Sequence, residues 1–188
     1  MKNILIIISS FFFSISVWAT KPDTPPRTIL FIGDSLTAGY GVDKEKSYVS
    51  LIERDLLKKG YNIKTLNGSV SGSTTSSGIK RLRWFLKAKP EILVLALGAN
   101  DGLRGVKIET SQKNLDDIIQ LAKENNIKVA LAGMMLPPNY GPDYTKNFKE
   151  MYLNLVKKHN VVHIPFLLEG VAAQRELNQA DGIHPNEK

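Results

Sequence analysis

Two separated stretches of the chain hold the residue types of acyl-transfer chemistry. The first is Gly33-Asp34-Ser35-Leu36-Thr37-Ala38-Gly39-Tyr40-Gly41, which directly follows the apolar run TILFIG. A serine placed just after a buried strand, between glycines that allow sharp turns, is presented at a sheet edge, where its hydroxyl becomes a nucleophile once a base takes the proton. The pattern is not G-x-S-x-G, so the elbow of the common α/β-hydrolases is absent. The base must come from three histidines, His159, His163 and His184. His159 closes a helical segment, where a cation is favoured beside the dipole, so a solvated or capping role is expected. His163 lies inside an apolar strand and reads as a core or edge histidine. His184 stands in DGIHPN, three residues after Asp181, with Gly182 and Pro185 fixing the turn. A carboxylate so near can accept the Nδ1 proton and leave Nε2 free to take a serine proton.

Acyl transfer also needs donors aimed at the developing oxyanion. The stretch Asn67 to Thr74 offers Gly72, whose N–H can approach a substrate closely, with Ser73 or Thr74 expected to cap the next helix. The block Gly98-Ala99-Asn100-Asp101 offers the Asn100 side-chain amide. Each stretch taken alone is also ordinary turn chemistry. Asp34 and Asp101, beside these candidates, read as structural groups that hold their loops by hydrogen bonds. Other chemistries are closed off. Cysteine is absent, which excludes disulfides, thiolate metal sites and a cysteine nucleophile. Neither a G-x-G-x-x-G after the first strand nor a P-loop is present to cradle phosphates.

The elements that must position these residues alternate strand and helix. Apolar runs at 28–33, 62–67, 91–97, 127–133 and 161–166 read as strands. Helical spacing appears between them. Residues 47–59 place Tyr48, Leu51, Ile52 and Leu56 on one face. Residues 73–87 bury Ile79, Leu82, Phe85 and Leu86, residues 111–125 bury Leu115, Ile118, Ile119 and Ala122, and residues 143–159 bury Phe148, Met151, Tyr152 and Leu155. Five strands alternating with helices imply one α/β domain with a parallel sheet covered on both sides, and ligands then bind beyond the carboxyl ends of the strands.

These blocks, in this order, resemble the SGNH hydrolases, also called the GDSL esterase/lipase family, and the likeness spans the chain from the first strand to His184. GDSLTAGYG, GANDGLRG, LPPNYG and DGIHPN are most similar to an exported bacterial subgroup of acyl-CoA thioesterases, lysophospholipases and arylesterases. The resemblance implies a flavodoxin-like three-layer α/β/α sandwich with a five-stranded parallel sheet. It implies Ser35 as nucleophile, His184 as base and acid, Asp181 as orienter, and an oxyanion hole from the Ser35 and Gly72 N–H groups and the Asn100 side chain. By analogy with the subgroup, Leu103, Leu136, Pro137 and Tyr140 border an apolar substrate groove. Neither metal nor cofactor is implied. A carbohydrate O-acetylesterase is the alternative on the same fold.

Lys2 followed by the apolar run Ile4 to Trp18, with Val17 and Ala19 at the positions a signal peptidase reads, predicts a secretory leader over residues 1–19. The run is short of the roughly 20 residues that cross a bilayer. Residues 20–27 read as a disordered lead-in and residues 28–188 as the catalytic domain. An exported, periplasmic or secreted monomer acting on a small-molecule acyl ester, thioester or lysophospholipid is expected. The formal charge of +7 and the cluster Lys80, Arg81, Arg83, Lys87 and Lys89 pose the question of an anionic partner. A solvated helix face is the plain reading. Transient contact with an anionic membrane surface comes next, and export argues against nucleic acid. The chain ends at Lys188, where the subgroup continues into a C-terminal helix, so a truncated record or a thinner cover of the sheet is expected.

Overall fold

The structure, a computed structural model, describes residues 24–188. The leader expected over residues 1–19 lies outside the described residues. The chain runs β1 (Arg27–Gly33), α1 (Ser35–Ala38), α2 (Tyr48–Lys58), β2 (Ile63–Asn67), α3 (Gly78–Phe85), β3 (Ile92–Ala96), α4 (Ala99–Leu103), α5 (Ile108–Glu124), β4 (Lys128–Ala132), α6 (Pro142–His159) and β5 (Val162–Ile164). The five strands form one parallel sheet in the order β2-β1-β3-β4-β5. This is the flavodoxin-like doubly wound order, whose strand sequence reverses between β1 and β3. Among the described residues no helix is long and apolar enough to cross a membrane.

The two-residue period of the strands divides the core. Leu30, Ile32, Leu93, Leu95 and Leu97 face Leu82 of α3, Leu115 and Ile118 of α5, and Phe148, Met151 and Leu155 of α6. Ile29 and Phe31 face the other way, onto Val49 of α2, with Tyr48, Leu56, Ile92 and Val94 packed around them. Each fully buried Leu, Ile or Phe contributes about 1.5–3 kcal/mol through its removal from water, so the face under α3, α5 and α6 carries most of the stability. Gly98, at the end of β3, shows how tightly this face closes. Its φ is +122°, and a Cβ there would lie 2.1 Å from the Tyr152 hydroxyl, which donates to the Leu97 carbonyl at 3.0 Å. Only glycine meets both demands.

Four sequence expectations shift. Arg27, assigned to the lead-in, is the first residue of β1, paired with Ile63 and bonded to Glu91 at 2.8 Å. In α2 the buried residue is Val49, and Ile52 is exposed, because the face turned to the sheet runs through Val49 and Leu56, seven residues apart. The helix expected from Ser73 begins as a 3-10 turn at Thr75–Ser77 and becomes α-helical only at Gly78. Neither Ser73 nor Thr74 caps it. The apolar period starts at Ile79, and the turn before it is held by polar bonds, the buried Thr75 donating to Asp101 through its N–H and hydroxyl. α5 begins at Ile108, three residues before the expected start.

Candidate active site

The reversal between β1 and β3 opens a crevice at their carboxyl ends, and the loops there carry the candidate residues. Ser35 is the first residue of α1. Asp34, buried at the N-cap, accepts the Leu36 N–H at 3.1 Å, which turns the chain from strand to helix and leaves Ser35 at the crevice. Burial pushes the Asp34 carboxyl above its ordinary range, against the pull of the Leu36 N–H and the Asn100 amide. The reading of Asp34 as a loop-holding group agrees with this geometry.

The loop after β5 delivers the histidine. Asn178 bridges Pro185, Gln179 N–H donates to the His184 carbonyl at 2.8 Å, and Asn186 N–H to the Leu177 carbonyl at 2.9 Å. Within this tight return the His184 Nδ1 lies 2.7 Å from Asp181 Oδ2, and Nε2 lies 2.9 Å from Ser35 Oγ. The other oxygen of Asp181 accepts the N–H groups of Ile183 and His184 at 2.9 and 3.0 Å. Those bonds from His184 and Ile183, with the imidazole contact, lower the Asp181 pKa to about 2. The folded state therefore favours the carboxylate, and the stabilisation this gives is present above about pH 4 and fades as pH falls through about 2. An ionised Asp181 holds the proton of His184 on Nδ1, leaving Nε2 to accept from the Ser35 hydroxyl.

The expected oxyanion donors lie on segments joined to the Ser35 turn: Asn100 bonds Asp34, and Gly72 lies against Arg104, which bonds Asn100. The Ser35 N–H is one of the first-turn groups of α1 without an intrahelical partner. Gly72 adopts φ +76°, and its N–H donates to no group among the described residues. The Asn100 amide nitrogen donates to the Ser73 carbonyl at 3.1 Å and to Asp34 Oδ2 at 3.3 Å. Arg104 Nη2 donates to the amide oxygen of Asn100 at 3.4 Å. Partners on both sides thus fix which end of the amide is the nitrogen, and an oxyanion would take the hydrogen now given to Asp34 Oδ2, the longer of its two bonds. Replacing Asn100 with Ala is expected to lower kcat about a hundredfold to a thousandfold, with KM changed little. Steady-state kinetics on a short aryl ester checks this, and a kcat within a few-fold of the parent would remove Asn100 from the oxyanion hole.

The remaining sequence candidates divide. Asp101 is buried and structural as expected: its carboxyl group accepts Thr75 N–H at 2.9 Å, Thr75 Oγ1 at 2.6 Å and Ser111 Oγ at 3.1 Å. His163 sits on the edge strand β5, its Nε2 buried without a partner among the described residues. His159 departs from the expectation of a solvated or capping group. It is buried and its Nε2 lies 2.6 Å from Asp116 Oδ1 of α5, because α6 packs on α5 and closes over its last turn. Leu103, Leu136, Pro137 and Tyr140 come together beyond β3 and β4, where the Tyr140 hydroxyl donates to the Leu103 carbonyl at 3.0 Å and Leu136 packs against the core. None of the four lines the ≈ 320 Å³ cavity that touches Ser35 and His184. Its apolar walls include Leu36, Val42, Tyr48, Leu51, Leu168 and Val171.

Three contributors were not singled out from sequence. The Tyr40 ring packs on the His184 imidazole at 4.7 Å. Gln179 Nε2 donates to the Tyr40 and Pro185 carbonyls at 2.7 and 2.9 Å, tying the serine loop to the histidine loop. Arg104 holds Asn100 as described. Tyr40 and Arg104 stand in the quoted blocks GDSLTAGYG and GANDGLRG, while nothing local marks Gln179.

A parallel α/β/α sheet with a hydrogen-bonded Ser–His–Asp relay at its switch point is the architecture of an α/β serine hydrolase lacking the usual nucleophile elbow. The chain belongs to the GDSL-like lipase/acylhydrolase family, which matches residues 31–188. It is 41% identical over 160 residues to esterase TesA of Pseudomonas aeruginosa, covering 85% of this chain and 80% of that protein. It is 36% identical over 160 residues to thioesterase 1/protease 1/lysophospholipase L1 of Escherichia coli, covering 85% of this chain and 76% of that protein. The crystal structure of TesA superimposes with a TM-score of 0.82 at 40% identity, covering 86% of this chain and 90% of that one.

Proposed function

We propose that this protein is an exported, monomeric serine hydrolase of carboxylic esters and thioesters of acyl substrates, working through Ser35, His184 and Asp181. The observation that carries the reading is the continuous relay from Ser35 Oγ through His184 to Asp181. His184 Nε2 takes the Ser35 proton as Oγ bonds to the acyl carbon, and the carbonyl electrons move onto oxygen, facing the Ser35 and Gly72 N–H groups and the Asn100 amide. Collapse of this intermediate breaks the carbon–oxygen or carbon–sulfur bond, and His184 returns the proton to the departing alcohol or thiol. Water, deprotonated by the same nitrogen, then attacks the acyl-serine and releases the acid.

The loops around the site favour apolar acyl groups. Tyr40, Val70, Leu103, Met135 and Ile183, one from each strand-end region, are large apolar side chains exposed at this edge. Esterase and thioesterase/lysophospholipase are also the names of the relatives cited above. A panel of aryl esters of increasing chain length, an acyl-CoA, a lysophospholipid and an acetylated glycan tests the reading. Hydrolysis of the medium and long acyl esters or thioesters at higher kcat/KM than the acetylated glycan is expected. Preference for the acetylated glycan would replace it with a carbohydrate O-acetylesterase.

A further inference from the structure

We propose that the outer face of α3 is a docking surface for an anionic lipid bilayer. The segment 78–90 (GIKRLRWFLKAKP) contains five cations and no acidic residue. The helix turns Leu82 into the core, with Ile79, Phe85 and Leu86 packed against it. It also directs Arg81 inward to the Gly68 carbonyl at 3.0 Å. What remains outside is Lys80, Arg83, Trp84, Lys87 and Lys89, all exposed. The spacing of Lys80, Arg83 and Trp84 places those three on one stripe of α3, and Lys87, in the 3-10 turn Leu86–Ala88 that follows, folds back over Trp84.

Two features together mark the stripe: a local run of cations with no acid inside it, and an exposed indole. Its cations have no acidic partner among the described residues, and the segment that carries them supplies none. Their charge is therefore uncompensated and available to an anionic surface. At its centre Trp84 is 65% exposed, one of the least covered large apolar side chains in the molecule, with Lys87 Nζ 3.7 Å from its ring centre. An indole flanked by cations matches the headgroup region of a bilayer, where its apolar body meets acyl chains and its N–H stays wet. Charge complementarity selects anionic over neutral lipid.

The position of α3 gives the contact a consequence. The helix follows the Gly72 loop and runs back from the carboxyl ends of the strands toward the start of β3. A molecule lying on this face keeps the mouth of the site at the rim of the contact, with the exposed apolar side chains of the strand-end loops nearby. The surface thus concentrates the enzyme where acyl lipids are found without covering Ser35.

Sedimentation of the purified protein with vesicles of phosphatidylcholine, with or without a one-third share of phosphatidylglycerol, tests the proposal. Binding about tenfold tighter to the anionic vesicles is expected, weakening with added salt. The variant Lys80→Gln/Arg83→Gln/Lys87→Gln should lose that preference, and Trp84→Ala should weaken binding several-fold. Both variants should keep the parent circular dichroism spectrum and the parent rate on a soluble short-chain ester. The spectrum reads folding independently of the proposed esterase activity, so failure of that activity and failure of docking are separate results. Equal binding to both vesicle types, or parent-like binding by the folded variants, would overturn the proposal. So would tighter binding to a duplex oligonucleotide than to anionic vesicles at the same salt.

Discussion

Replacing Ser35 with alanine is expected to lower kcat/KM on short p-nitrophenyl esters at least about a thousandfold while the thermal midpoint stays within a few degrees of the parent. The size follows from the relay. Ser35 Oγ is the atom that bonds to the acyl carbon, and His184 and Asp181 act only through it, so removing it disables the group as a unit. Residual rate would come from the oxyanion donors and substrate binding alone. The fold should tolerate the change because the Ser35 hydroxyl bonds to His184 and packs into no core cluster. The N-cap that shapes α1 belongs to Asp34. Retention of more than a few per cent of the parent activity would refute the assignment.

The second large effect falls on stability. Asp101 neighbours Asn100 but touches none of the reacting groups; it joins three buried donors from two other segments, Thr75 in the turn before α3 and Ser111 in α5. Asp101→Ala leaves the Thr75 N–H and the Ser111 hydroxyl without that acceptor inside the protein, at about 1–3 kcal/mol for each unsatisfied group. Unfolding free energy should fall by about 3 kcal/mol, and the thermal midpoint by about 10 °C for a domain of this size. Calorimetry or urea unfolding checks this. A parent-like midpoint combined with lost catalysis would instead make Asp101 part of the chemistry.

The fold was legible because its two periods were clean. Alternation in TILFIG and EILVLAL separates two sheet faces, and helical spacing in α5 and α6 marks the stripes that cover one of them. The relay residues were legible because Asp181 and His184 lie three residues apart in one rigid turn and Ser35 directly ends a strand. What escaped the sequence reading depends on contacts between distant segments. The 43-residue separation of His159 from Asp116 hides their bond from any local reading of a helix end. Gln179 reaches Tyr40 across 139 residues. The cavity beside Ser35 is likewise assembled from α1, α2 and the turn after β5, whereas Leu103, Leu136, Pro137 and Tyr140 meet on the other side of the β3 end. The charge cluster of α3 was visible as composition, but only the fold separates inward Arg81 from the outward stripe centred on Trp84.

The central claim is that Ser35 is the group acylated during turnover. Treatment of the active protein with one equivalent of a fluorophosphonate, followed by intact mass measurement and peptide mapping, tests it most directly. One phosphonyl group per chain is expected on Ser35, with activity lost in proportion to labelling and with His184→Ala labelled far more slowly. Stoichiometric labelling at another residue, or full activity after Ser35 is labelled, would contradict the account.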